Sequence, residues 1–155
     1  MDNMISTVFC GDAIQVLQTI PTQTVHTCVT SPPYYGLRDY GMPEQIGLEE
    51  SPQAYVETLM AVFREVRRVL RDDGTLWVNI ADSYAGSGKG AWSVPSSARP
   101  FSKQTYRYEA DNPAVKIPTT WDGIKPKDMI GVPWALAFAL RNDGWYLRSD
   151  VIWQK

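Results

Sequence analysis

Cysteine, histidine and an excess of either charge are all scarce in this chain. Of its 155 residues two are cysteine and one is histidine. Cys10 and Cys28 lie in apolar, strand-like runs with no His or Cys partner at a metal-ligand spacing, so no metal site is expected and both read as buried free thiols. His26 sits inside a strand-like run and reads as structural. No apolar run reaches membrane-spanning length, and Met1-Asp2-Asn3-Met4 lacks the basic stretch that opens a signal peptide, so a cytoplasmic protein without a membrane partner is expected. A net charge of −2 argues against a chain that coats nucleic acid non-specifically, because that binding needs many Lys and Arg contacts to phosphate.

The charge is unevenly spread. Residues 84–127 carry a net +4, from Lys89, Arg99, Lys103, Arg107, Lys116, Lys125 and Lys127 against Glu109, Asp111 and Asp122, which leaves −6 elsewhere. A basic segment on an acidic body suits an enzyme that touches DNA along one face. At 44% apolar and 21% charged, 155 residues are compatible with one globular core and not with two.

Periodicity along the chain predicts an α/β protein. Residues 5–10 read as a short strand closed by Gly11-Asp12, and Ala13, Ile14, Val16, Leu17 and Ile20 recur at helical spacing up to Pro21. Residues 25–29 form an apolar, β-branched run typical of a buried strand. Ser51-Pro52 has the pattern of a helix cap followed by proline in the first turn. Behind it Tyr55, Leu59, Val62, Phe63, Val66, Val69 and Leu70 make an apolar stripe, with Arg64, Arg67, Arg68 and Arg71 read as a solvated face. Asp72-Asp73-Gly74 closes that helix, residues 75–80 follow as a buried strand, and strand, helix, strand in this order imply a parallel crossover. Residues 85–127 show no sustained period, and a loop that long in a compact domain is either functional or disordered. Its Trp92, Tyr106, Tyr108 and Trp121, interleaved with basic residues, could stack on bases; a plain flexible loop is the alternative. A last helix is expected from about Met129 to Asn142, starting nearer Gly131 because Pro133 belongs in a first turn. Residues 145–154 alternate well enough for a strand or hairpin.

Two segments carry chemical suggestions. Gly86-Ser87-Gly88-Lys89-Gly90 follows a strand as a phosphate loop would, but no helix opens behind it and the Walker spacing fails at Ser83 and Gly90, which excludes both nucleotide-loop readings. The other is Ser31-Pro32-Pro33-Tyr34, directly after the residue 25–29 strand. Neither proline can donate to a ladder, so the strand must stop there, at the sheet edge where ligands bind in open α/β folds. The residue before a proline is held extended, so the Ser31 and Pro32 carbonyls point in set directions with no competing N–H. With the Ser31 hydroxyl they are acceptors suited to an amino group, beside a Tyr34 ring that can lie on a flat π-system. Asp12, at the end of the first expected strand, is open to two readings: a cofactor-binding carboxylate or the cap of the following helix.

Gly11-Asp12-Ala13, Thr30-Ser31-Pro32-Pro33-Tyr34-Tyr35-Gly36, the helix ending Val69-Leu70-Arg71-Asp72-Asp73-Gly74, Asn79-Ile80-Ala81-Asp82-Ser83-Tyr84, Lys125-Pro126-Lys127-Asp128 and Val151-Ile152-Trp153-Gln154-Lys155 together resemble the catalytic half of a beta-group DNA amino-methyltransferase. The resemblance covers nearly the whole chain apart from much of the long loop. It implies an α/β fold built on a partial Rossmann-like methyltransferase sheet, doubly wound, with residues 85–127 as a loop insertion. It further implies S-adenosylmethionine as cofactor and DNA as partner, with a flipped base stacked on Tyr34 and its amine held by Ser31 and the Pro32 carbonyl. Asp12 and Thr30 fall on the cofactor side, and Lys89, Arg99, Lys103, Arg107, Lys125 and Lys127 are the candidate DNA contacts. Ser where the family also uses Asp before Pro-Pro-Tyr leans towards cytosine N4 over adenine N6. The chain departs from the family in having neither the Phe-x-Gly-x-Gly cofactor loop nor a target-recognition region. It is therefore expected to be an amino-terminal piece of a longer enzyme, a truncated reading frame, or one partner of a split enzyme whose carboxyl-terminal half is separate. A glutamine-methylating enzyme with a similar Pro-Pro-Tyr turn, and a non-catalytic DNA-binding or assembly fragment, are the other readings.

Overall fold

A computed structural model describes residues 6–85 and 123–154. Three helices and two strands follow in the order α1 (Ala13–Thr19), β1 (Val25–Thr30), α2 (Pro52–Val69), β2 (Leu70–Val78) and α3 (Val132–Asn142).

Local chemistry sets the helix ends. Asp12 is extended and its carboxylate accepts from the Gln15 amide at 3.0 Å, which caps α1. Ser51 does the same for α2, its hydroxyl oxygen accepting from the Ala54 amide at 3.1 Å with Pro52 in the first turn. The expected stripe on α2 is buried, with Tyr55, Leu59, Phe63, Val66 and Val69 all facing the core.

α2 runs straight into β2, five residues before the expected strand start at Thr75. Val25 pairs with Leu70 and Thr27 with Thr75, so β2 advances five residues while β1 advances two. Asp72-Asp73-Gly74 thus bulges out of the ladder instead of ending the helix. Gly74 is required there, because a Cβ would meet the Arg71 carbonyl at 2.9 Å and the His26 carbonyl at 3.2 Å. The two strands are parallel, as the crossover pattern implied.

One face of this sheet is covered. Leu76, Val78, Ile80 and Cys28 pack against a core of Tyr35, Tyr55, Leu59, Phe63, Leu136 and their neighbours. Alternation along a strand sends the next residues to the opposite face. There Val29 and Trp77 sit in register and remain 77% and 55% exposed.

α3 buries Val132, Leu136 and Leu140 against α2, with Pro133 in its first turn. Its first residue follows Gly131 in the left-handed region at φ 82°, and no side chain at that position caps it. The Asp82 carboxylate, from beyond the end of β2, takes the task by accepting from the amides of Gly131 at 2.9 Å and Val132 at 3.1 Å. It also accepts from its neighbour Ser83 at 2.9 Å. Asp82→Ala would leave the first amides of α3 without their acceptor, and about 1–2 kcal/mol of stability should be lost, read as a lower denaturant midpoint.

Several expectations change. Arg64 and Arg67 are not simply a solvated face: Arg64 bonds the Asp143 carboxylate at 2.7 and 2.9 Å, and Arg67 the Asp143 carbonyl at 2.6 Å, which ties α2 to the end of α3. The Arg64 hydrogen bond holds the Asp143 carboxyl below the ordinary carboxylate range. Arg68 reaches the Leu17 and Ile20 carbonyls at 2.8 and 3.0 Å, closing the end of α1. Residues 6–10 are exposed and form no strand, and residues 145–154 form none either, since no described strand lies beside them to complete a ladder. Cys10 is consequently exposed, and of the two thiols only Cys28 is half-buried, with its pKa pushed up by that burial. Among the described residues the sheet has two strands.

Most of the long loop, residues 86–122, lies outside the described residues, but its two shoulders are joined. Tyr84 bridges Met129 in antiparallel fashion. The Ala85 amide donates to Asp128, Lys127 to Ala85, and Ile130 to Ser83, each at 2.9 Å. Among the described residues no helix is long and apolar enough to cross a membrane.

Candidate functional site

The Ser31–Tyr34 turn leaves β1 at its carboxyl end, and the backbone carbonyls around it divide into satisfied and unsatisfied groups. Thr30 accepts from the Asn79 amide at 2.9 Å, the last link between the strands. The Pro33 carbonyl accepts from the Tyr55 hydroxyl at 2.6 Å. That of Tyr34 accepts from the Leu37 amide at 3.3 Å, and that of Tyr35 from the Ser83 hydroxyl at 3.0 Å. Between these, no donor among the described residues reaches the Ser31 or Pro32 carbonyl. Prolines supply no N–H, so the turn presents two adjacent acceptors held from both ends.

The side chains complete a surface for a planar amine. Ser31 is exposed, Pro32, Pro33 and Tyr34 are half-buried, and the Ser31 hydroxyl lies 3.4 Å from the Tyr34 hydroxyl. Behind them Tyr35 is buried against Tyr55, ring centroids 5.4 Å apart and tilted by 48°. The Gly36 amide donates to the Gly47 carbonyl at 2.7 Å, and the Gly47 amide to the Glu49 carboxylate at 2.8 Å. Gly47 has φ 108°, and a Cβ there would stand 3.1 Å from the Tyr34 carbonyl, so the loop can close on the turn only with glycine. Burial, then the nearby Glu49 charge, pushes the Tyr35 phenol up to about 12. Burial, Glu49 and Tyr34 push Tyr55 higher still, which keeps it a hydrogen-bond donor at every working pH.

The other expected site residues are less concentrated. Asp12 spends one carboxylate oxygen on the α1 cap, which meets its structural reading. Thr30 is half-buried with its carbonyl engaged in the sheet. Lys125 and Lys127 are exposed on the shoulder that pairs with Ala85. Lys89, Arg99, Lys103 and Arg107 lie outside the described residues. Sequence reading missed Tyr55, Ser83 and Asp82 as parts of the framework. The only signal for Tyr55 was a phenol on an otherwise hydrocarbon stripe, where a buried hydroxyl needs a partner.

A methionine carboxylate is commonly received at a free helix N-terminus. Here each described helix start already gives at least one amide to a side chain, that of Asp12, Ser51 or Asp82, so none stands fully free to receive that carboxylate. Among the described residues, no group of three or more His, Cys, Asp or Glu side chains could hold a metal ion.

Residues 25–155 match the family model for N6_N4_Mtase, DNA methylase. The chain is 50% identical over 150 residues to the type II methyltransferase M.Cfr9I of Citrobacter freundii, covering 97% of this chain and 46% of that protein. It is 48% identical over 148 residues to M.SmaI of Serratia marcescens, covering 96% and 47%. With M.SfiI of Streptomyces fimbriatus the identity is 38% over 149 residues, covering 96% and 30%. No solved structure matches. The chain thus spans about half the length, or less, of these curated relatives. With a match that includes the strand, the Ser-Pro-Pro-Tyr turn and both framework helices, the chain belongs to the N6_N4_Mtase family of DNA methylases.

Proposed function

We propose that this chain carries the amine-receiving half of a site-specific DNA methyltransferase that acts on an exocyclic base amine, cytosine N4 in preference to adenine N6. The observation that carries the reading is the pair of carbonyls, Ser31 and Pro32, that no donor among the described residues reaches, at the end of β1 beside the Tyr34 ring. An exocyclic amine is a poor nucleophile because its lone pair is delocalised into the ring. Two acceptors on its hydrogens localise that pair and stabilise the positive charge that grows on nitrogen as the N–C bond forms. The methyl group's bond to the donor's sulfonium sulfur would break as the N–C bond forms, its electron pair going to sulfur, and one of those amine hydrogens would then leave as a proton to solvent. The base reaches the turn only when extruded from the duplex, and Tyr34 supplies the face on which it stacks. Lys125 and Lys127, with Lys89, Arg99, Lys103 and Arg107 named from sequence, are assigned to phosphate contact.

The methyl donor, S-adenosylmethionine, is assigned chiefly to the half that corresponds to the unmatched part of the relatives' length. Parallel sheets are normally covered on both faces, and the open Val29–Trp77 face is where further helices would pack once added strands extend the sheet at its edges into a doubly wound one. The test pairs this chain with the complementary half of the Citrobacter freundii relative and follows labelled methyl transfer to duplex DNA, with the nucleosides analysed after digestion. N4-methylcytosine is the expected product. N6-methyladenine would reassign the base, and no transfer together with micromolar binding of S-adenosylmethionine by this chain alone would overturn the division between the halves.

A further inference from the structure

We infer that Tyr55 is a positioning residue for the amine-receiving turn: by taking the Pro33 carbonyl, its hydroxyl sets the direction in which the Ser31 and Pro32 carbonyls point. The inference rests on the reading of that turn as the amine site. It starts from an accounting of backbone freedom. The prolines at 32 and 33 each fix φ, and the residues before them are held extended, so little freedom remains between Thr30 and Pro33. One end is pinned by the Asn79 amide on Thr30. The other is anchored by the 2.6 Å bond from Tyr55 to the Pro33 carbonyl, without which this stiff segment, carrying the Ser31 and Pro32 carbonyls, would pivot as a unit about its Thr30 end.

Tyr55 is well placed to hold that end. It is 0% exposed, lies in the first turns of the longest helix, and packs on Tyr35. The Tyr35 carbonyl is in turn held by Ser83, so the Pro33 and Tyr35 carbonyls are tied to α2 and to the segment after β2 respectively. The hydroxyl is also the one part of Tyr55 that the core does not need: phenylalanine fills the same space and keeps the ring contact. Loss of the hydroxyl therefore separates positioning from packing, and a displacement well under 1 Å between nucleophile and acceptors is costly to rate.

The test has two parts. In the full chain, labelled at the carbonyl carbons, Tyr55→Phe should shift the resonances of Ser31 and Pro32 together with that of Pro33. Leu59→Ala, which opens a cavity in the same core without touching the turn, should lower Tm further and leave the Ser31 and Pro32 signals in place. A shift confined to Pro33, or one that Leu59→Ala reproduces, overturns the inference. In the enzyme assembled with the complementary half, Tyr55→Phe should lower kcat about tenfold with KM for DNA unchanged. If Ser31→Ala and Tyr34→Ala lose turnover while Tyr55→Phe keeps it, the positioning role fails and the proposed function stands. If all three keep it, the proposed function itself fails.

Discussion

Tyr34→Ala in the assembled enzyme is expected to reduce methyl transfer at least about tenfold, equivalent to roughly 1.4 kcal/mol of transition-state stabilisation, and Ser31→Ala to do the same. The two losses have different causes and should divide differently between the kinetic constants. Tyr34 offers a half-buried ring in the turn, and in the proposed reading its removal takes away the surface on which an extruded base would rest. That contact exists before and during the reaction, so part of its loss should appear as weaker DNA binding. In the proposed reading the Ser31 hydroxyl acts on the amine, where charge develops only as the N–C bond forms, so its loss should fall on kcat. Single-turnover rates with saturating DNA separate the two. Unchanged turnover in both variants would remove the turn from the reaction.

Phe63→Ala is expected to be the most damaging truncation in the framework, at about 3–5 kcal/mol, measured as the shift in denaturant midpoint of the purified chain. Phe63 is 2% exposed and sits midway along α2, the helix that meets α1, α3 and β2. A cavity there opens inside the core cluster of α2, α3 and the Tyr35 turn. Arg64→Ala, one residue away on the outer surface, should have a far smaller effect although it breaks two hydrogen bonds to Asp143, because its partners remain accessible to water. A Phe63→Ala effect below about 1 kcal/mol would mean that α2 is not the centre of the core.

Amphipathic period and caps were legible from the chain itself. Ser51-Pro52 and the Tyr55 to Val69 stripe specify α2 because capping and a 3.6-residue period are local properties, set by neighbours three and four positions away. Pro32-Pro33 likewise had to end β1, since a residue without an amide hydrogen cannot extend a ladder. The Ser31 and Pro32 carbonyls were identifiable as acceptors from the same two prolines. Short apolar segments were another matter. Residues 6–10 and 145–154 have strand-like composition, but a strand exists only where another lies beside it, and composition does not supply the partner.

What tertiary structure alone decided was which groups are taken and which are left. Leu70 entered the ladder ahead of Asp72-Asp73-Gly74 because pairing with Val25 outweighed the local preference of Asp-Asp-Gly for a turn. Asp82 caps a helix that begins 50 residues later, and Ser83 holds Tyr35 from 48 residues away. Tyr55 reaches the Pro33 carbonyl from 22 residues on. Hydrogen bonds over such separations depend on how helices and strands are stacked, so a sequence can name the polar groups of the turn but only the packed fold determines that no donor among the described residues reaches the Ser31 and Pro32 carbonyls.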